Sequence, residues 1–365
     1  MTKLFVVALG YIFLCFSYPL KIQYTASLQN QDTLIYPGEH HFKNMRQLTF
    51  GGDNAEAYFS FDGKYIIYQH NDVAHGIMCD QIWMGKIPES PDEPFVPKLV
   101  STGTGRTTCS YFYPDGKHIL YASTHLASAE CPPVPDRKKL KRYIWPVYES
   151  YDIFEADTNG HIIKQLTNTN GYDAEATISP KGDKIIFTSV RNGDLDLYTM
   201  DMDGKNVKQI TNTLGYDGGA WFSPDGKKIV WRASRPKTKE EIDDYKNLLS
   251  QNLVAPTSME VFVANADGSD AHQITFLDKA NWAPNFTPDG KHIIFCSNHE
   301  YERGFPFNMY ITDINGNGLE KISRDKGFDA FPMFSPDGKK IIFSSNRNNG
   351  GGNGINIFIA DWVEM

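Results

Sequence analysis

The chain has 365 residues, 41% of them apolar and 13% aromatic, with a formal net charge of −8. That supplies ample material for a packed core, in one large domain or two smaller ones. An acidic balance excludes the electrostatic footprint of a nucleic-acid-binding protein. Its most basic run, Arg137-Lys-Lys-Leu-Lys-Arg142, is local and reads as a solvated loop.

Lys3 opens the chain ahead of a 14-residue apolar run, Leu4 to Ser17, which Pro19 and Lys21 then interrupt. The run is too short to span a bilayer and has the form of a secretory signal peptide, expected over residues 1–17 with Ser17 at the cleavage site. A retained anchor is the alternative. Cys15 follows the bulky Leu14 and is a poor lipid-attachment site. After cleavage no transmembrane span is expected, and residues 18–43 read as an extension. His40-His41 in that extension is a weak metal signal. Export makes a disulfide among Cys79, Cys109 and Cys131 an expectation, with the pairing left open. Cys296, within IIFCS, reads as a buried thiol.

From Met45-Arg-Gln-Leu-Thr49 onward the chain repeats itself. Six copies of one hairpin occur: YFSFDGKYIIYQHND, YFYPDGKHILYASTH, TISPKGDKIIFTSVR, WFSPDGKKIVWRASR, NFTPDGKHIIFCSNH and MFSPDGKKIIFSSNR. In five of the six Pro presets φ for a turn (Phe61 stands there in the first), and in all six Gly supplies the positive φ that ends it and a β-rich apolar run follows. The turns are spaced by 53, 66, 44, 64 and 48 residues, and the minimum is the size of a four-stranded propeller blade. A third strand (DIFEAD, DLYTMD, EVFVANA, NMYITD) and a fourth (KQLT, KQIT, HQIT, EKIS) complete each unit. The Asx-x-Asx-Gly turns between them resemble pieces of calcium loops but lack the bidentate Glu, so they read as hairpin turns. The last recognisable segment, Ile355 to Trp362, is a third strand, and Met45–Thr49 is a fourth without its preceding three. The predicted fold is therefore all-β: a six-bladed β-propeller of four-stranded antiparallel blades over residues 44–365, its ring closed by an N-terminal strand that completes the last blade.

FSPDGKKIIFSSNR, with QIT ahead of each blade, resembles the TolB-like, or WD40-like PD40, propeller repeat over residues 44–365. The resemblance implies the fold strongly and function weakly. TolB carries a separate α/β domain ahead of its propeller and acts in the periplasm, between an outer-membrane lipoprotein and an inner-membrane complex. No counterpart of that domain is expected here, so the resemblance does not carry over its partner contacts. The repeat also resembles the propellers of dipeptidyl-peptidase-type enzymes and oligogalacturonate lyase, but no G-x-S-x-G of a hydrolase is present.

Two columns of polar residues flank each hairpin. Eight residues before the turn stand Asn54, Thr107, Asp173, Asp217, Asn281 and Asp329; ten after it stand Asp72, His125, Arg191, Arg235, His299 and Arg347. Asp occurs wherever Arg occurs, which predicts structural pairs Asp173–Arg191, Asp217–Arg235 and Asp329–Arg347 that pin the hairpin ends. Blades one, two and five break this rule and carry inserts: Asn71–Asp80, His125 to about Tyr151, and His299–Arg303. Glu56 and Glu175, in matching AEA contexts, point toward the channel. A ligand site at the channel mouth is therefore expected from Glu56, Asp72, His75, His125, Glu175, His299, Trp145 and Tyr148, the last two offering faces on which a sugar can stack. A divalent metal is a possible cofactor there, with His125 and His299 as candidate ligands. Equally, these residues can hydrogen-bond the inserts to the rim. In blade four, Thr238 and Glu241 form a capping box ahead of an amphipathic helix with Ile242, Tyr245, Leu248 and Leu249 on one face. Trp83, Trp221, Trp231 and Trp282 read as core.

Together these features point to a monomeric, periplasmic or secreted binding protein of the cell envelope. It would present a loop-rich face to a protein or glycan partner. The alternative is a metal-assisted enzyme at the channel mouth, of the polysaccharide lyase or hydrolase-like propeller kind; catalytic residues are not identified.

Overall fold

The computed structural model describes residues 33–302, 304, 306–350, 352 and 354–364. The expected leader, Cys15 and residues 18–32 of the extension lie outside them, as does Arg303.

The local words of the repeat explain its strands. At the turn of blade six, Ser335 Oγ donates to Asp337 Oδ1 (2.6 Å), which in turn accepts the Lys339 N–H (3.1 Å). The Gly338 N–H closes the turn on Ser335 O at 2.8 Å, with Gly338 at φ +71°. Blades one, four and five repeat this lock at Ser60–Asp62, Ser223–Asp225 and Thr287–Asp289. Six residues past the turn position each second strand carries a buried ring: Tyr68, Tyr121, Phe187, Trp231, Phe295 or Phe343, none more than 2% exposed. Burying such a side chain contributes roughly 1.5–3 kcal/mol. Each ring packs on an aromatic ring of its own blade, such as Phe187 on Tyr198 and Phe295 on Tyr310.

Six four-stranded antiparallel sheets result. Blade one comprises Asp53–Phe59, Tyr65–Asp72, Ile77–Lys86 and Lys98–Leu99; blade two, Thr107–Phe112, His118–Ser123, Asp152–Asp157 and Ile162–Gln165. Blade three comprises Asp173–Ile178, Lys184–Ser189, Asp196–Asp201 and Lys208–Gln209; blade four, Asp217–Phe222, Lys228–Ala233, Glu260–Asn265 and His272–Gln273. Blade five comprises Asn281–Phe286, His292–Ser297, Asn308–Asp313 and Glu320–Lys321. Blade six takes Asp329–Phe334, Lys340–Ser345 and Asn356–Trp362, and its outer strand is Phe42–Gln47, paired antiparallel with Asn356–Trp362.

The Thr of the Q-[IL]-T signature is a latch. Its hydroxyl accepts an N–H of the third strand: Ile153 to Thr167, Leu197 to Thr211 and Val261 to Thr275, at 2.8–2.9 Å. At the seam Thr49 does the same for Ile357 at 2.9 Å, although 308 residues separate them. Glu39 strengthens that closure by bonding both guanidinium Nη atoms of the buried Arg347, at 3.2 and 3.1 Å. His41 stacks on Trp362 and bonds Glu320 at 3.0 Å, so it belongs to the seam as well.

Every inner strand carries a bulge at the same place. The register slips between Ala55 and Tyr58, and at the equivalent point in all five other blades. The bulged residues are Glu56, Cys109, Glu175, Gly219, Ala283 and Phe331, with φ between +48° and +62°. A left-handed bulge turns its side chain out of the sheet alternation. Here it turns five side chains and the bare backbone of Gly219 toward the central channel.

Candidate functional site

These six residues line one cavity of about 300 Å³ in the channel. Toward the Asp-Gly turns, Tyr58, Tyr111 and Trp221 pack edge to face and narrow it, with Tyr58 and Tyr111 rings 4.7 and 4.8 Å from Trp221. On the opposite side two inserts form a roof. Trp145–Pro146 of the blade-two insert pairs antiparallel with Leu253–Val254 of the blade-four insert. Trp145 lies 5.0 Å from Trp282 of blade five, and Trp282 Nε1 donates to Pro256 O at 2.7 Å. The blade-two insert thus reaches across the channel.

Three further fixings hold the roof. A Cys79–Cys131 disulfide ties the blade-one insert to the blade-two insert. Arg142 makes a bidentate pair with Asp244 at 2.8 Å on each arm, so the end of the basic run is an anchor. Asp244 belongs to the helix Lys239–Leu249, whose capping box Thr238–Glu241 is complete, whose Tyr245 and Leu248 are buried, and whose Tyr245 hydroxyl bonds Asp194. Cys109, the third cysteine near this face, is a free thiol in the cavity wall.

The chemistry of the cavity centres on Glu175. Its Oε1 accepts from Arg232 Nη2 (2.6 Å) and Tyr216 OH (2.5 Å); its Oε2 accepts from Thr188 Oγ1 (2.8 Å) and the Gly219 N–H (2.9 Å). Burial opposes the Arg232 charge, but Glu175 and Tyr216 outweigh it and hold the guanidinium proton more tightly than usual. Arg232 also lies over the rings of Trp145 and Tyr216, at 5.3 and 5.2 Å. At the cavity edge Arg106 pairs with Asp80. Glu56 contacts the Cys109 thiol, and burial pushes its carboxyl up to about 7. Burial, with Glu56 beside it, pushes the Cys109 thiol well above its ordinary range.

Of the residues expected at the mouth, Glu56, Glu175, Trp145 and Tyr148 line this cavity; Asp72, His75, His125 and His299 do not. Asp72 bonds His75 at 2.7 Å within the blade-one insert. His125 packs on Phe154 at 4.5 Å and bonds Ser123 Oγ; His299 packs on Tyr310 at 4.6 Å and bonds Ser297 Oγ. The arginines of the same column do the equivalent: Arg191 lies over Phe187 and Tyr198, Arg235 over Phe262, and Arg347 over Phe343. Each of these groups covers an aromatic ring of its own blade, which places the two histidines in different blades away from the channel. The three arginines contact Asp173 (2.8 Å), Asp217 (2.6 Å) and Asp329 (2.9 Å) respectively. No group of three or more His, Cys, Asp or Glu among the described residues is placed to hold a metal ion.

Arg232 and the Gly218-Gly219 pair escape a reading of motifs alone. A Cβ on Gly218 would stand 2.2 Å from Glu175 Oε2, and one on Gly219 would stand 1.9 Å from Arg232 Nη1. Two successive glycines in a strand are the available signal, since they mark a close approach.

Among curated proteins none matches this chain in sequence. Among solved structures it is similar to one assigned as TolB from Agrobacterium tumefaciens, with 18% identity and a TM-score of 0.55 over 86% of this chain and 91% of that one. TolB from Acinetobacter baumannii is 20% identical with a TM-score of 0.55, over 83% of this chain; the match spans 64% of the Acinetobacter chain. A structure of oligogalacturonate lyase in complex with manganese is 13% identical with a TM-score of 0.48, over 88% of this chain and 93% of that one. The family model of the TolB beta propeller domain matches residues 135–259 and 253–358, more than half of the sequence. With six blades of the matching repeat closed into one ring, the chain belongs to the PD40 family of TolB beta propellers.

Proposed function

We propose that this is an exported binding protein of the cell envelope that docks a protein partner on its insert-bearing face. The carrying observation is the character of that face. Val73, Met78, Leu126 and Val134 are each about 60% exposed, and all stand on the blade-one and blade-two inserts that the disulfide braces. Exposed aliphatic side chains on a rigid platform suit a protein partner. A glycan would call for exposed aromatic faces, and Trp145 and Tyr148 are instead turned to the cavity. The leader-like run at residues 4–17 and the disulfide support export, because such bonds persist in oxidising compartments. The same features support a periplasmic or secreted location. No helix among the described residues is long and apolar enough to cross a membrane.

The test is capture from an envelope extract of the producing organism, with the captured protein identified and its binding re-measured in purified form. Met78→Asp with Leu126→Asp and Val134→Asp is expected to weaken that binding at least tenfold. Ile162→Asp with Ile163→Asp, on the outer strand of blade two, should leave it unchanged. Equal binding by the two variants, or recovery of the protein in the cytoplasmic fraction, would sink the proposal.

A further inference from the structure

The channel cavity has a charge imbalance that the docking face does not use. Glu56, Asp80 and Glu175 line it, against Arg106 and Arg232. Asp80 pairs with Arg106, and Glu175 with Arg232. Glu56 is the remainder. Its neighbours are Tyr58 on its own strand, Asp80 on the third strand of its blade, Cys109 of blade two, Glu175 of blade three and Arg232 of blade four. Arg232 is already committed to Glu175 through a 2.6 Å contact. The remaining neighbours are acids, a thiol and a phenol, and none can neutralise a carboxylate.

Two more features point to an absent occupant. Ser110 is 2% exposed, lines the same cavity, and its Oγ has no hydrogen-bond partner. A buried polar group without a partner is costly, so a ligand that supplies one is favoured. The walls around Glu56 are aromatic, with Tyr58, Trp145, Tyr172, Trp221 and Trp282 facing the space. Aromatic faces attract cations and accommodate alkyl groups. An anion would meet three acids whose two guanidinium partners are occupied, and a neutral sugar would bring no counter-charge to Glu56 when it ionises. The volume matches about ten water molecules, which leaves ample room for a chain of about four carbons with one charged end.

We propose that the channel cavity binds a small primary alkylammonium ion, with the Glu56 carboxylate as counter-ion, Ser110 Oγ as a second acceptor and the aromatic walls around its alkyl part. The site is separate from the docking face and does not depend on the partner proposed for it.

The probe is n-butylammonium chloride, titrated calorimetrically into the full chain, with butan-1-ol, butyrate and D-glucose as neutral, anionic and sugar controls. The tryptophans of the wall give an independent fluorescence signal. Saturable binding of butylammonium is expected, at least tenfold tighter than any control. Because a cation selects the ionised carboxyl and burial raises Glu56 to about 7, affinity should rise about tenfold per pH unit up to 7 and level off above it, with proton release visible as a dependence of the heat on buffer. Butylammonium stays protonated over this range. Glu56→Gln should abolish both the binding and its pH dependence. No saturable binding of butylammonium, equal binding of butan-1-ol, or preference for D-glucose or butyrate would each overturn the proposal. So would a flat affinity between pH 6 and 8 in the unsubstituted protein, a measurement that holds even where Glu56→Gln fails to fold.

Discussion

The two halves of the ring share one backbone and differ in what they show the channel. In blades one to three the bulge holds Glu56, Cys109 and Glu175; in blades four to six it holds Gly219, Ala283 and Phe331. Five of the six are not glycine, yet all keep a positive φ. Such a conformation costs roughly 1–3 kcal/mol per residue and persists where the surroundings over-determine it. The repeat therefore sets where a side chain enters the channel, and departures from the repeat set the chemistry. Blade four joins the halves: its two glycines open the slot through which Arg232 meets Glu175.

The largest test of this asymmetry is Arg232→Met. It leaves Glu175 buried with its charge unmatched, and should lower unfolding free energy by about 3–5 kcal/mol in denaturant titration. Adding Glu175→Gln should restore a large part of the loss. Phe331→Leu, at the equivalent bulge position in the apolar half, should cost less than about 1.5 kcal/mol. Equal costs would mean that the halves differ in composition without differing in energetics.

The roof is asymmetric in the same sense. The blade-two insert is tied covalently to blade one, whereas the blade-four insert is held by a short strand pair and side-chain contacts. Cys79→Ser with Cys131→Ser opens a crosslink across 52 residues and should cost up to about 4 kcal/mol. Thermal melting of both proteins with and without reductant checks it: reductant should lower the melting temperature of the parent and leave the double variant unchanged.

A smaller effect comes from pH. Folded Glu56 keeps its proton up to about 7, whereas unfolded it releases it near 4.5. Between those values the folded state binds more protons, so stability falls as pH rises through the window and the Glu56 contribution is flat above it. The loss is no more than about 3 kcal/mol, and less where cavity water screens the carboxylate. Glu56→Gln should remove it, leaving a variant less pH-sensitive between pH 5 and 7. Burial also raises Asp196 and Asp217, and these shifts cancel when the two proteins are subtracted. A difference that stays constant with pH would place the Glu56 carboxyl in ordinary solvent.

The blades were legible because their signals are local. Close variants of Ser-Pro-Asp-Gly make the turn within four residues, and a ring six residues on makes the core. Ring closure was legible from the odd strand at each end, since the register of blade six needs an outer strand. The site was legible only in pieces. Glu56 and Glu175 stand out because they share a context, yet which way they point depends on a bulge that leaves no residue signature. His125 and His299 look like ligands in sequence because they break an Asp–Arg rule; in space they take the arginine's place over a ring. Glu39 reaches Arg347 across 308 residues, and Arg232 reaches Glu175 across 57. Such pairings are set by the closure of the ring, which brings together blades that no local pattern connects.

The smallest expected effect lies at the edge of the roof. Thr238 caps the helix Lys239–Leu249, its hydroxyl accepting the Glu241 N–H at 3.2 Å while the Glu241 carboxylate accepts the Thr238 N–H at 3.0 Å. The helix presents Asp244 to Arg142 of the blade-two insert and Tyr245 to Asp194 of blade three. Thr238→Ala removes one of the two reciprocal bonds and should cost about 1 kcal/mol if the helix unfolds with the domain. If the roof opens as a separate unit, global stability should barely move, and hydrogen exchange should instead quicken across residues 239–254 and the paired 143–147. Faster exchange confined to the helix, with 143–147 unaffected, would show that the two inserts do not move together and that the blade-two insert is held by its disulfide and its aromatic contacts alone.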